Sequence, residues 1–146
     1  MSRVVEITRR AEFSASHRLC NPRFTAEENE RVYGKCANPN GHGHNYVVDV
    51  TLRGPVDPRT GMLIDLKLLK EIVEREVITP MDHRHLNEDV FFLEGVIPTA
   101  ENLAIAIWER LAPHLPENLL WRVRLWETAR NYVDYYGENE QGARRA

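Results

Sequence analysis

The sequence predicts an α+β fold with a mainly antiparallel sheet, and three observations carry that prediction. Two stretches in the N-terminal third and two near the C-terminus alternate apolar and polar residues at the period of a strand. Between them lie two consecutive stretches with apolar residues at helical spacing. The length of 146 residues, with 42% hydrophobic and 28% charged residues, suits one domain that buries its core without disulfide staples. The resulting order is ββααββ, with strands segregated from helices.

The first strand falls within Val4–His17, where Phe13, Ala15 and His17 share one face. Leu19 to Gly41 reads as mostly irregular, punctuated by Asn21-Pro22, Asn38-Pro39 and Gly41, with room for a short helix over Ala26–Val32. The second strand is NYVVDVTLRG, which sets Tyr46, Val48, Val50 and Leu52 opposite Asp49, Thr51 and Arg53. A turn over Gly54–Gly61 leads to a helix capped by Asp65 and running to about Ile78. Its stripe is Leu66, Leu69, Ile72, Val73 and Val77, and Pro80 ends it. Thr99 caps a second helix that ends before Pro113, with Ala100, Leu103, Ala104, Ile107, Trp108 and Leu111 on its apolar face. Trp121–Glu127 and Tyr132–Tyr136 complete the set as two strands paired through the turn at Thr128–Asn131.

Composition excludes several classes of function. No apolar run approaches the roughly 20 residues of a membrane span, and the charged start MSRVVEITRRAEF has no stretch of signal-peptide length. A net charge of −3 argues against general affinity for nucleic acid or an anionic membrane. Two cysteines, Cys20 and Cys36, form no CxxC pair, so the chain is no disulfide scaffold. The expectation is a soluble, cytoplasmic, single-domain protein over residues 1–137, with 138–146 a disordered polar tail.

The six histidines are unevenly spread: four form two His-x-His pairs, in GHGHN and DHRHL. Residues two apart on an extended chain point to the same side, so His42 and His44 can reach one ion. His17, at the end of another strand, can supply a third neutral imidazole. Three such ligands with an open fourth position are the set of a catalytic zinc site, and they leave the full metal charge to acidify a bound hydroxyl. Spacing alone does not choose between this pair and His83 with His85, and an HxH also occurs as a surface pair without metal. Flanking glycines favour the first pair. Asp82, directly before His83, is placed to orient an imidazole for proton transfer.

Cys36 precedes His42 by six residues and admits three readings: a fourth zinc ligand, a thiolate base beside the metal, or a small buried apolar residue. Cys20 reads as structural. Glu127 is in phase with Trp121, Val123 and Leu125. It is either a carboxylate at a strand's end reaching solvent or one awaiting a ligand with adjacent N–H donors. Thr99 and Glu101 read locally as the start of a helix, where an acidic residue favours the dipole.

Taken in order, FSASHRL, GKCANPNGHGHNY, DPRTGMLIDL, MDHRHLN, PTAEN and the WET at Trp126–Thr128 resemble the motifs of the 6-pyruvoyl-tetrahydropterin synthase family, which includes 6-carboxytetrahydropterin synthases. The resemblance covers about Ala11 to Gly137. It implies the tunnelling fold, a four-stranded antiparallel sheet with two helices on one face, assembled as trimers or dimers of trimers with sites between subunits. It implies that His17, His42 and His44 bind zinc and that Cys36 is the proton-abstracting thiolate. Asp82 and His83 would form the second acid–base unit. Glu127 would anchor the pterin ring and join the proton relay, and Thr99 and Glu101 would complete the pocket. Ala100 stands where the family pattern often has a second hydroxyl residue.

The resemblance further implies a zinc-dependent lyase that converts 7,8-dihydroneopterin triphosphate to 6-pyruvoyl-tetrahydropterin with loss of triphosphate, as in tetrahydrobiopterin biosynthesis. The five residues between Cys36 and the HGH resemble the pyruvoyl type. The alternative is a 6-carboxytetrahydropterin synthase of the queuosine pathway, which releases acetaldehyde and triphosphate from the same substrate. A non-catalytic zinc module with a closed Cys–His site is the rival from another class. Arg18, Arg23 and Lys35 are the candidates for triphosphate contact.

Overall fold

The computed structural model describes residues 3–137, so the polar tail expected over 138–146 lies outside the described residues. Strand β1 (Val4–His17) pairs antiparallel along its whole length with β2 (His42–Pro55). Between them lies α1 (Ala26–Tyr33), which starts on a complete capping box. Thr25 accepts from the Glu28 N–H, and the Glu28 carboxylate accepts from the Thr25 N–H. Strand β4 (Leu120–Trp126) joins β2, and β5 (Tyr132–Tyr135) joins β4, both antiparallel.

The expected four-stranded antiparallel sheet needs correction. A two-residue strand β3 (Arg84–His85) runs parallel to β1 at Ala15 and Ser16, so the sheet is mixed and five-stranded, ordered β3-β1-β2-β4-β5. With α1 included, the ββααββ order gives way to three helices among five strands in the described residues. Two residues have no periodicity to read. Strand β3 exists because the His83 and Leu86 N–H groups donate to the Ser14 and Ser16 carbonyls of the edge it meets.

Helix α2 (Leu66–Val73) begins where Asp65 accepts from the Lys67 N–H. It does not stop before Pro80. A π turn at Glu74–Ile78 and a last turn at Thr79–Met81 carry it on. Pro80 has no N–H for the Glu76 carbonyl four residues back. Arg110 supplies the missing donor through Nε at 3.2 Å. Helix α3 (Ala100–Leu111) starts after the Thr99 cap and gives way to a 3-10 turn at Ala112–His114, around Pro113. Trp121–Glu127 shifts by one residue to β4, leaving Glu127 just outside it, and Tyr132–Tyr136 shortens by one residue to β5. A bulge at Thr51/Leu52 pairs Leu120 with Leu52 and brings Leu120 into the core.

One face of the sheet and the apolar stripes of α2 and α3 form the core. Phe13, Tyr46, Val48, Val50, Val123 and Leu125 meet Leu69, Ile72, Val73, Leu103, Ile107 and Leu111. The opposite face carries charge. Arg10, Asp49, Arg124 and Asp134 stand in register across β1, β2, β4 and β5. Arg10 grips Asp49 at 2.7 and 2.9 Å, Arg124 grips Asp134 at the same two distances, and Trp126 Nε1 donates to Asp49 at 3.1 Å. Burial alone would raise the Asp49 carboxyl. The donors from Arg10 and Trp126 and the two guanidinium charges outweigh it and hold Asp49 below the usual carboxylate range.

Candidate metal centre and its surroundings

The β1–β2 register builds the site. His17 pairs with His42 and Ala15 with His44, so residues on one face of two neighbouring strands place three imidazoles together. Beneath them Phe13 stacks on Tyr46 with centroids 4.9 Å apart, which seats the cluster on the core. Gly41 lets the chain enter β2. Its φ is +73°, and a Cβ there would lie 3.0 Å from the His17 carbonyl oxygen.

His17 is fully buried. Its Nδ1 donates to the Pro98 carbonyl at 2.8 Å, which leaves the Nε2 lone pair facing inward. Tyr46 Oη lies 3.3 Å from the same Nδ1. His17 Nε2 and His42 Nε2 stand 3.1 Å apart, and the ligand nitrogens of His17, His42 and His44 all lie within 4.8 Å of one another. Two ligands of a tetrahedral zinc, each about 2.0–2.1 Å from the ion, are separated by about 3.3 Å. His44 Nε2 is buried with no hydrogen-bond partner, an orphan that a cation would satisfy.

Electrostatics agree with that fit, since a metal needs neutral imidazoles. Burial, reinforced by the neighbouring histidines and opposed by the Pro98 carbonyl, pushes His17 down to about 4. Burial also lowers His44, although the Glu127 carboxylate opposes it. Tyr46 is raised by burial first and by Glu127 second, so its hydroxyl stays protonated. Glu127 therefore acts on the cluster from just beyond β4. It is half-buried, and its N–H donates to the Asn131 carbonyl across the turn.

The other predicted residues are brought to the site unequally. Asp82 Oδ1 accepts from the Ser14 N–H at 2.9 Å, and Oδ2 is 3.0 Å from His83 Nδ1. The Ser14 hydrogen bond, followed by His83, holds Asp82 below its usual range against burial. His83 is 82% exposed and adopts φ +61°, a strained backbone for a residue with a side chain. It lines an open cleft together with His44, Ser14, His85 and Asp89. Cys36 lies half-buried and unpaired in a 3-10 turn at Gly34–Ala37. The imidazole cluster does not include it. Thr99 Oγ1 accepts from the Asn102 N–H at 3.2 Å as the cap of α3, with Glu101 exposed in the first turn. The bond from His17 to Pro98 draws this helix start toward the cluster. Arg18 and Lys35 line a groove beside α1, whereas the Arg23 N–H donates to Asn21 Oδ1 in the turn before it.

Sequence reasoning missed three supporting groups. Tyr46 continues the two-residue period of His42 and His44, a signal that was available. Ser14 and Pro98 act through backbone atoms, which no side-chain pattern reveals.

An α+β sheet that brings three imidazoles together defines a class of proteins able to hold a metal ion. The chain belongs to the 6-pyruvoyl tetrahydropterin synthase family, whose model matches residues 6–138. It is 49% identical over 136 residues to the 6-pyruvoyl tetrahydrobiopterin synthase of Poecilia reticulata, covering 93% of this chain and 92% of that one. It is 47% identical over 133 residues to the Homo sapiens protein of the same name, covering 91% and 92%. A more distant relative is the 6-carboxy-5,6,7,8-tetrahydropterin synthase of Rickettsia bellii, 27% identical over 150 aligned positions, with 90% of this chain and 99% of that one covered. The structure of Caenorhabditis elegans 6-pyruvoyl tetrahydropterin synthase superposes with a TM-score of 0.90 at 41% identity, covering 94% and 98%.

Proposed function

We propose that this protein is a zinc-dependent lyase that converts 7,8-dihydroneopterin triphosphate to 6-pyruvoyl-tetrahydropterin with loss of triphosphate. The observation that carries the reading is the convergence of three imidazoles whose ligand nitrogens lie within 4.8 Å of one another, with His44 Nε2 buried and orphaned. The relatives at 47–49% identity bear the pyruvoyl name, and the carboxy relative is much more distant.

His17, His42 and His44 hold the ion. When bound, zinc supplies Lewis acidity toward the hydroxyls of the pterin side chain. Glu127 accepts from the pterin 2-amino and ring N–H groups, and Thr99 and Glu101 complete that pocket. Cys36 takes and moves side-chain protons as a thiolate. His83, oriented by Asp82, returns them as triphosphate departs and the side chain tautomerises. His83, at φ +61°, lines the open cleft that His44 also lines, which supports this role. We assign the protein to the cytoplasm as a trimer or dimer of trimers, in which Cys36 reaches the imidazoles of the same or a neighbouring subunit.

Turnover of 7,8-dihydroneopterin triphosphate by the zinc-loaded protein, with product identification, tests the reading. Triphosphate and 6-pyruvoyl-tetrahydropterin are expected, and acetaldehyde release would reassign the protein to the 6-carboxy reaction. Cys36→Ala should keep its zinc while losing roughly 10²–10⁴-fold in kcat, the usual contribution of a positioned acid–base group. A zinc–sulfur bond in metal-edge spectra of the resting protein would instead indicate a closed, non-catalytic site.

A further inference from the structure

The segments that carry Cys36, His17 and the Asp82–His83 unit meet at one residue that the proposed chemistry does not use. Strand β3 pairs with β1 for only two residues, and the Leu86 N–H donates to the Ser16 carbonyl at 2.8 Å. The β3–β1 register ends there among the described residues. Instead the Asn87 carboxamide takes it up. Its Oδ1 accepts from the Arg18 N–H at 2.8 Å, and its Nδ2 donates to the Arg18 carbonyl at 3.0 Å. A carboxamide carries the same donor and acceptor as a peptide unit, so one side chain satisfies both main-chain groups of Arg18.

Arg18 passes the constraint onward. Its Nη2 donates to the Ala37 carbonyl at 2.8 Å, and the N–H of the next residue, Leu19, donates to the Cys36 carbonyl at 2.7 Å. Both bonds end in the turn that carries Cys36. Arg18 also directly follows His17. The Asn87 N–H donates to His85 Nδ1 at 3.3 Å, which ties the same residue into the loop after His83.

We infer that Asn87 is a positioning residue. Its reciprocal hydrogen bonds to Arg18 set the Cys36 turn in place relative to the Asp82–His83 loop at the end of β1. It does not touch substrate or metal. An aspartate at this position could accept from the Arg18 N–H but could not donate to its carbonyl. A leucine of similar size could do neither.

The inference rests on the proposed acid–base roles, and its test separates the two. Asn87→Leu and Asn87→Asp are compared with the unaltered protein for kcat and KM with 7,8-dihydroneopterin triphosphate, for zinc content, and for the rate at which iodoacetamide alkylates Cys36, followed by peptide mass. Asn87→Leu should lose roughly 10–100-fold in kcat, as expected of a small misplacement of reacting groups, while KM and zinc content stay within about twofold. Its Cys36 alkylation rate should change by about threefold or more, with Asn87→Asp between Leu and Asn. Unchanged kcat and unchanged alkylation in Asn87→Leu would overturn the inference. Loss of zinc in step with kcat in both variants would also overturn it, since Asn87 would then act through the metal cluster. If Asn87→Leu does not fold, Asn87→Asp decides by the same measures. If the unaltered protein does not turn over this substrate, the proposed function fails, and the alkylation rates alone decide whether Asn87 positions Cys36.

Discussion

His17 shows how one residue can serve stability and chemistry at once. Its burial keeps the imidazole neutral against the opposing pull of the Pro98 carbonyl, and the bond from Nδ1 to that carbonyl leaves Nε2 available. With a folded pKa of about 4 against an ordinary value of 6.5, the unfolded chain binds more protons between those limits. Stability of the metal-free protein therefore falls as pH drops from about 6.5 toward 4, and His17 contributes no slope above that window. The full loss is on the order of 3 kcal/mol. Urea midpoints of chelator-stripped protein at pH 7, 6 and 5 measure it, and bound zinc should steepen the loss because protons compete for the ligands. The candidate ligand histidines were legible from spacing and resemblance. The bond to Pro98 was not, because residues 81 apart in sequence meet through a backbone carbonyl.

At the level of elements, the entry into β2 is the tightest constraint around the cluster. Gly41 combines φ +73° with the closest approach to His17. Gly41→Ala should destabilise the protein by about 1–2 kcal/mol from the left-handed backbone alone. It should also weaken zinc retention, because relieving the contact shifts the His17–His42 pair. Denaturant unfolding and a chelator competition check the two effects, and a change in neither would remove Gly41 from the account. The long strands and the two principal helices were legible because their periodicity samples burial over many residues. Strand β3 and the π turn were not. Two residues carry no period, and across Pro80 the Glu76 carbonyl accepts from Arg110 of α3, a partner distant in sequence.

For the whole molecule, the sheet has two unlike faces: one packs against α2 and α3, and the other carries the row from Arg10 to Asp134. Its described edges are β3 and β5, of two and four residues. If the proposed assembly is right, sedimentation equilibrium should give three or six times the chain mass, and a stable monomer with full turnover would reject sites shared between subunits. Residue type and period are local properties, so the candidate ligands, the family and most of the core-facing stripes could be read along the chain, whereas Leu66, assigned to the stripe of α2, is exposed. Folding in three dimensions settles that His17 meets His42 across a register, that Pro98 fixes one tautomer, and that Asn87 extends the β3–β1 contact through its side chain. Those are pairings between distant segments. Their free energy depends on what the rest of the fold brings alongside, and no window along the chain contains both partners.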